Sequence, residues 1–321
     1  MPTATDPSAE RRLAVLGSPI THSKSPALHA AAYRVLGLPW DYRALEVASD
    51  DLAAFVASRD QSWRGLSLTM PLKQTVLPLL GELDEVARLT GAANTVLFDG
   101  DGSGERVLRG FNTDVAGIVR ALRAAGVSIA RRVHVFGGGA TAASAVVAAA
   151  ELGAEHVSIA VRVPSRAAPL HGLARSVGLT CRIGTFDEEP DAVPDLVVST
   201  LPGPAASALA RDLLRGSAMR AAAAQGAAIF DVAYDPWPSP IASAWQRLVA
   251  DRADTIGSVV LSGLPMLVHQ ALLQVRIFVH GDPQRSLERD DEVLAAMLAA
   301  VGLDAAGRPL GEAAPARMPE S

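Results

Sequence analysis

A glycine-rich turn lies directly between a predicted strand and a predicted helix in the middle of the chain. The segment RRVHVFGGG is typical of a strand that enters a turn, and TAASAVVAAAELGA is typical of a helix. The turn fits the pattern G-x-G-x-x-A over Gly137, Gly138, Gly139, Ala140, Thr141 and Ala142. In such a turn Gly137 permits the tight bend, Gly139 lets the backbone approach a pyrophosphate, and Ala142 allows close helix packing. Although three glycines could also form a loose loop, the strand and helix around them favour a dinucleotide-binding sheet, because a helix N-terminus offers free N–H groups to phosphates.

The predicted strand after this turn, HVSIAVR, indicates which dinucleotide would bind. An NAD site usually has an Asp or Glu at the end of this strand, which accepts a hydrogen bond from the ribose 2′-OH. Here the strand ends at Val161 and Arg162 with no acid, and Arg166 follows one helical turn later. Two guanidinium groups can hold a 2′-phosphate bidentately, although arginines in a solvated loop are also common. The missing acid and the two arginines together favour NADP over NAD.

Strands and helices alternate through most of the remaining sequence, which is typical of parallel sheets covered by helices. The length of 321 residues suggests two domains. We predict an α/β fold with an N-terminal α/β substrate-binding domain at residues 11–114 and a Rossmann dinucleotide-binding domain at 115–256, with a cleft between them.

The ends of the chain show different patterns. From Gly257 onward the sequence pattern is purely helical, and we expect helices within 257–302 to return and complete the first domain. Residues 1–10 and 305–321 are predicted to be flexible tails because they are rich in small and polar residues.

Composition and charge exclude several classes of protein. A net charge of −5 gives no electrostatic reason to bind nucleic acid. No segment is long and apolar enough to cross a membrane, and the first residues lack the apolar core of a signal peptide. The single cysteine, Cys181, fits a buried strand position in a reducing compartment, and the seven histidines show no metal-ligand spacing. We therefore expect a cytoplasmic protein without a metal.

Polar residues stand out near the start of the first domain. Ser23 and Ser25 are two residues apart in a segment that Pro26 holds extended, so their hydroxyls can point the same way. Ser25 could instead be an ordinary N-cap, because the proline after it suits the first helical position. No such structural reason applies to Ser23.

Further along, Lys73 follows Pro71, which marks a helix start. A cation in the first turn of a helix opposes the helix dipole, so a lysine retained there suggests proton chemistry. Asp114 opens the helix that joins the two domains, where it could be a cap residue, and Asn94 could be a turn residue.

The chain is similar to shikimate dehydrogenases in an ordered set of motifs. These are SKSPALH, LTMPLK, GAANTV, NTD, GGGATA and LPMLVHQAL. The resemblance extends from about Leu13 to Gly281. It implies an oxidoreductase that catalyses the reversible, NADP-dependent reduction of 3-dehydroshikimate to shikimate, in the biosynthesis of chorismate and the aromatic amino acids.

The resemblance also implies roles for particular residues. Ser23 and Ser25 would bind the substrate carboxylate, and Tyr234 would lie near the cleft. The residues around the ring hydroxyls would be Thr69, Lys73, Asn94, Asp114 and Gln270. Lys73 and Asp114 would form the catalytic pair, since an ammonium can give a proton to the oxygen that receives negative charge on hydride delivery, and a carboxylate can orient it. Ser67 departs from the family pattern, because an asparagine is usual there, but its hydroxyl could still donate a hydrogen bond.

Other activities remain open from the sequence. A quinate, dual quinate/shikimate or aminoshikimate dehydrogenase would resemble this family, and so would a non-catalytic NADP-binding regulator. Retention of both Lys73 and Asp114 disfavours the regulator, since a sensor has no use for a proton donor. The expected partner is a small-molecule substrate, and a monomer and a homodimer are both admissible. If the chain is a dehydrogenase, the turn at Gly137 should face the same cleft as Lys73.

Overall fold

The computed structural model describes residues 9–100, 106–213, 215–250 and 258–310, and two six-stranded sheets organise these residues. The strands, in chain order, are β1 Arg11–Gly17, β2 Trp40–Glu46, β3 Trp63–Leu68, β4 Glu82–Leu83, β5 Thr95–Gly100, β6 Arg106–Phe111, β7 Arg132–Phe136, β8 His156–Val161, β9 Thr180–Thr185, β10 Leu196–Ser199, β11 Ala228–Asp231 and β12 Val260–Ser262.

Helices cover both faces of each sheet. The α-helices in the same ranges are α1 Ser25–Leu36, α2 Leu52–Ala57, α3 Leu72–Thr75, α4 Glu85–Thr90, α5 Asp114–Ala124, α6 Ala140–Glu151, α7 Ala168–Ser176, α8 Gly203–Leu213, α9 Ser217–Ala224, α10 Pro240–Ala250, α11 Gly263–His280 and α12 Asp290–Ala300. Short 3₁₀ turns lie at Ser49–Asp51, Leu77–Leu79 and Pro164–Ala167.

The first sheet has the strand order β2-β1-β3-β5-β6-β4 and is mixed rather than parallel throughout. β1 pairs with β2 and β3 in parallel, while β5 is antiparallel to both β3 and β6. β5 and β6 follow each other in the chain and form an antiparallel pair, and residues 101–105 between them lie outside the described residues.

The second sheet is entirely parallel and has the order β12-β11-β10-β7-β8-β9. Counted from β7, this is the 3-2-1-4-5-6 order of a doubly wound dinucleotide-binding sheet, which confirms the predicted Rossmann fold. The alanine-rich helix α6 packs closely on the sheet because Ala142 and its neighbours bring little side-chain bulk. The order of the strands places the turn after β7 beside the topological switch point, where such sheets bind ligands.

The returning segment packs on the first sheet as expected, but it is not purely helical. Apolar residues of α1, α11 and α12 share one buried cluster with residues of β1 and β2. Before α11, however, Val260–Ser262 pairs with β11 as the edge strand of the second sheet. The prediction of a purely helical pattern from Gly257 was therefore wrong, because a three-residue strand is too short to show alternation in the sequence.

Within the described ranges, no helix combines the length and the apolar character needed to cross a bilayer. Of the predicted tails, residues 1–8 and 311–321 lie outside these ranges. Within the described part of the second tail, Pro309 pairs with Leu303 in an isolated β-bridge.

Candidate active site

Two adjoining cavities contain nearly all of the predicted site residues. The first, here called the polar cavity, has a volume of about 350 Å³ and includes in its lining Ser23, Ser25, Thr69, Lys73, Asn94, Asp114, Tyr234 and Gln270. The second, here called the glycine-turn groove, has a volume of about 660 Å³ and includes Gly137, Gly138, Gly139, Ala140, Thr141, Arg162 and Arg166. Thr69, Lys73 and Thr141 line both. The glycine turn and Lys73 therefore face one continuous cleft.

A buried ion pair lies where the two cavities meet. Lys73 Nζ donates to Asp114 Oδ2 at 2.6 Å, and the two side chains are 13% and 5% exposed. Removing both charges from water carries a desolvation cost, so a buried pair is weak evidence for a stabilising role. Its position in a cavity instead fits a pair retained for its chemistry.

The helix-dipole argument for Lys73 was wrong. Lys73 lies on the helix Leu72–Thr75, which is a single turn, so no sizeable helix dipole opposes its charge. Its neighbour in space explains the position better, because the ammonium reaches the Asp114 carboxylate on a different helix.

Asp114 is the first residue of α5, but its carboxylate does not cap that helix. The N-cap residue is Thr113, and the Asp114 N–H donates to Asn112 Oδ1 at 2.9 Å. Because Asn112 satisfies this amide, the Asp114 carboxylate can accept from Lys73 and from Asn94 Nδ2, the latter at 2.8 Å.

Asn94 is the centre of a buried polar cluster rather than a turn residue. It is 2% exposed, and its Nδ2 lies 3.2 Å from Gln270 Oε1 as well as 2.8 Å from Asp114 Oδ1. Its Oδ1 accepts from the Thr113 N–H at 3.0 Å. Asn94 therefore links the N-terminal part of the chain to α11, which carries Gln270.

The two serines have different local roles. Ser25 is the first residue of α1, and its side chain makes no capping hydrogen bond, which contradicts the N-cap alternative. Its backbone N–H donates to Ser23 Oγ at 3.3 Å, so Ser23 does have a local structural role. Both serines line the polar cavity.

Tyr234 reaches this cavity from the other sheet. It lies in the loop after β11, and burial raises the pKa of its hydroxyl, while a hydrogen bond with the Lys24 backbone opposes that rise. Residues from both sheets therefore form the walls of the polar cavity.

The glycine turn leaves open space at the start of α6. Gly137 has φ +117°, a conformation that L side chains rarely adopt, and a Cβ there would overlap Thr200 Oγ1. A Cβ added at Gly139 would meet no heavy atom within 4 Å, and this residue is the N-cap of α6. Ala142 is fully buried beneath the turn. The exposed N–H groups of the first helical turn therefore face an unobstructed groove, which fits a pyrophosphate.

The arginines lie at the far side of this groove. Arg162 directly follows β8, and Arg166 lies on the short turn Pro164–Ala167. Both side chains are exposed and line the groove, as a site for a 2′-phosphate requires.

Sequence reasoning missed two buried residues of the polar cavity wall. Gln274 was not singled out, and its signal was a second glutamine four residues after Gln270 in a largely apolar helix. Ser67 was noted only as a departure, and its hydroxyl does donate, to Gln274 Oε1 at 2.8 Å. Tyr42 in turn donates to Ser67 Oγ at 2.7 Å.

Among the described residues, no group of three or more His, Cys, Asp or Glu side chains could hold a metal ion. A Rossmann sheet with an open glycine turn, next to a cavity with a buried lysine–carboxylate pair, is typical of a two-domain NAD(P)-dependent dehydrogenase.

Known proteins place the chain more narrowly. Residues 15–96 match the family model described as the shikimate dehydrogenase substrate binding domain. The chain is 31% identical over 282 residues to the shikimate dehydrogenase (NADP(+)) of Methanothermobacter thermautotrophicus, a match that covers 86% of this chain and 93% of the relative. The chain belongs to the shikimate dehydrogenase family.

Solved structures agree in fold. The shikimate dehydrogenase of Mycobacterium tuberculosis is similar with a TM-score of 0.73 and 35% identity, covering 90% of this chain and 99% of that one. Shikimate 5-dehydrogenase of Thermus thermophilus, solved in complex with NADP(H) and shikimate, is similar with a TM-score of 0.67 and 29% identity, covering 90% of this chain and 99% of that one.

Proposed function

We propose that this chain catalyses the reversible, NADP-dependent reduction of 3-dehydroshikimate to shikimate, a step in chorismate and aromatic amino acid biosynthesis. The observation that carries the proposal is the buried Lys73–Asp114 pair at the junction of the polar cavity with the glycine-turn groove. Lys73 lines both cavities, so a proton donor at this junction would face the substrate carbonyl where carbonyl reduction needs it.

The residues at the cofactor site fit NADP. The open space at Gly139 accommodates a pyrophosphate at the N-terminus of α6, and Arg162 and Arg166 would hold the 2′-phosphate. When bound, the reduced nicotinamide supplies the hydride, which is chemistry that no protein side chain provides.

Lys73 supplies the proton in the direction of reduction. Its ammonium donates to the substrate carbonyl oxygen, which becomes the hydroxyl oxygen as the ring carbon accepts the hydride. The Asp114 carboxylate holds the ammonium in place through the 2.6 Å hydrogen bond and stabilises its charge. In the direction of oxidation, neutral Lys73 takes the proton from the same hydroxyl.

The other cavity residues orient the ring. The Ser23 and Ser25 hydroxyls would donate to the substrate carboxylate, while Asn94, Gln270 and Thr69 would contact ring hydroxyls and Tyr234 would close the cavity from the Rossmann side. Their mutual hydrogen bonds support this role, because a site whose side chains already hold each other loses little entropy on binding.

The proposal extends to organisation and location. Residues 11–114, completed by the returning helices at 257–302, would form the substrate-binding domain, and 115–256 would form most of the cofactor domain. We expect the protein to act in the cytoplasm as a monomer or a homodimer.

Initial rates of the purified protein with shikimate, quinate and aminoshikimate, each with NADP and with NAD, test the proposed function. The highest kcat/KM should occur with shikimate and NADP. Higher values with quinate would make the protein a quinate dehydrogenase, and a preference for aminoshikimate in the same assay would indicate that substrate. NADP binding without turnover of any of them would identify a non-catalytic regulator.

A further inference from the structure

Gln274 is a buried amide in a helix that is otherwise largely apolar. It is 2% exposed, lies one turn after Gln270 on α11, and its side chain contacts groups from three other segments. Its Nε2 donates to the Asn94 carbonyl at 3.2 Å and to Thr95 Oγ1 at 3.0 Å. Its Oε1 accepts from Ser67 Oγ at 2.8 Å and lies 3.3 Å from His29 Nε2. All the hydrogen-bonding capacity of this amide is therefore used.

One fixed group determines which way this amide points. The main-chain carbonyl of Asn94 can only accept, so the atom of Gln274 that faces it must be the NH₂ group. The same NH₂ group then donates to Thr95 Oγ1. If the amide were flipped, its oxygen would face the carbonyl oxygen at 3.2 Å, which is repulsive.

The orientation of the Gln274 amide also determines which atom donates in the next hydrogen bonds, from Thr95 to Asn94. Because Thr95 Oγ1 already accepts from Gln274, its own proton is free to point at Asn94 Oδ1, 2.9 Å away. Asn94 Oδ1 is then an acceptor, which leaves Asn94 Nδ2 as the donor to Asp114 Oδ1 at 2.8 Å. A single orientation of donors therefore connects Gln274 to the carboxylate that holds Lys73.

On the side of Gln274 that faces away from the cavity, the same orientation determines the tautomer of His29. Since Gln274 Oε1 is an acceptor, the hydrogen on the His29 ring must be on Nε2, and His29 Nδ1 must accept from the Tyr33 hydroxyl at 3.0 Å. His29 is fully buried and stacks on Tyr42 with ring centroids 3.8 Å apart. Burial lowers the pKa of His29 to about 3, so the ring is neutral, as one donor and one acceptor nitrogen require.

We propose that Gln274 and Thr95 are positioning residues, which together with the Thr113 N–H hold Asn94 Oδ1 as an acceptor and so keep the Asn94 NH₂ group on Asp114. This inference rests on the proposed function. Thr95 is fully buried and does not line the polar cavity, so it acts through Asn94 and not on the substrate. Gln274 lies in the cavity wall beside Ser67 and accepts a hydrogen bond from the Ser67 hydroxyl.

Thr95→Val and Thr95→Ser form a matched pair of test variants. Valine keeps the shape but removes the hydroxyl, and serine keeps the hydroxyl but removes the methyl group. In Thr95→Val, we expect kcat with shikimate and NADP to fall about 5- to 30-fold, since one hydrogen bond is lost and a buried donor is left unpaired. KM for shikimate should change little, because Thr95 does not line the polar cavity. Thr95→Ser should restore kcat to near wild type.

Two results would overturn the proposal. One is Thr95→Val with the kcat of the wild type, and the other is Thr95→Ser as impaired as Thr95→Val, which would make volume the cause. The tautomer of His29, measured by ¹⁵N NMR on the wild-type protein, needs neither turnover nor a variant that folds. A neutral ring with its proton on Nε2 is expected, and a proton on Nδ1 would contradict the direction. An inactive wild type with the expected tautomer would refute the proposed function and leave the hydrogen-bond direction standing.

Discussion

The polar cavity and the glycine-turn groove lie side by side but are built in different ways. In the polar cavity, buried side chains from distant parts of the chain bond to one another, as Asn94 does with Asp114 and Gln270. In the groove, the backbone turn at Gly137 and the start of α6 provide the surface, and the arginines at its edge are exposed.

This difference separates two kinds of function. A set of side chains that satisfy each other is preorganised, so a change in one member disturbs the orientation of the others and should affect the chemical step. A backbone cradle with exposed charged side chains depends less on its neighbours, so a change at its edge should affect which ligand binds and not how fast it reacts. Each of the following predictions tests this division.

The largest effect is expected from Lys73→Ala. Loss of the proton donor should lower kcat on the order of 10²–10⁴-fold with a modest change in KM for shikimate. The control is Lys24→Ala, which changes the only other lysine of the chain, an exposed residue, and should keep kcat within about twofold. Near-normal kcat in Lys73→Ala, measured by steady-state kinetics, would remove this residue from the mechanism.

The groove should respond in binding and in selectivity. Arg162→Ala should weaken NADP binding roughly 10- to 150-fold, as loss of one charge-assisted phosphate contact predicts, and leave NAD binding nearly unchanged. Fluorescence titration of both dinucleotides gives the two dissociation constants. Arg175→Ala on the outer face of α7 is the control, because it removes an exposed charge that does not line the groove. Equal weakening of NADP and NAD would show that Arg162 does not contact the 2′-phosphate.

The sequence predicted the groove better than the polar cavity, because the predicted groove residues come from neighbouring segments of the chain. The strand, the turn from Gly137 and the helix are consecutive in the chain, and Arg162 and Arg166 follow within the next unit, so a local pattern contains the residues that were predicted for the groove. The strand order that the pattern implies is the order found.

The polar cavity could be predicted only in part. The residues found from local patterns were Ser23, Ser25, Lys73, Asn94 and Asp114, and only the family resemblance added Thr69, Tyr234 and Gln270. No pattern indicated Gln274, because its partner Asn94 is 180 residues away in the chain. The local reasons given for Lys73 and for Ser25 as a cap failed, since contacts between distant segments determine what those side chains do.

A smaller effect is expected at the edge of the polar cavity. Ser25→Ala should raise KM for shikimate roughly tenfold with little change in kcat, because the hydroxyl would bind the carboxylate and lies away from the reacting carbon. The fold should tolerate the change, since this side chain makes no capping hydrogen bond. Ser58→Ala, an exposed serine in the same domain, is the control for KM. If Ser25→Ala lowered kcat and left KM unchanged, the serine would belong with the groups that act on the chemical step.

The smallest difference between the two regions should be in the pH dependence of stability, because a buried histidine lies in each of the two halves of the fold, His29 on α1 and His134 on β7. Burial lowers the pKa of His29 to about 3 and that of His134 to about 4, from 6.5 in the unfolded chain. As pH falls from 6.5 toward 4, the unfolded chain therefore binds protons that the folded chain does not, and stability falls by up to about 1.4 kcal/mol per pH unit for each ring. Urea denaturation between pH 7 and pH 5 measures this slope.

His134→Gln separates the two rings. His134 lies on β7, bonds Ser158 at 2.7 Å, and lines neither the polar cavity nor the glycine-turn groove. In this variant the slope of stability against pH should therefore fall by up to the contribution of one histidine, and kcat should stay near that of the wild type. His171→Gln, at an exposed position, should keep the full slope. A lowered kcat in His134→Gln would mean that the core of the second sheet is coupled to the chemical step, and the division between the two regions would then not hold. An unchanged slope would show that His134 is protonated in the folded protein at pH 5.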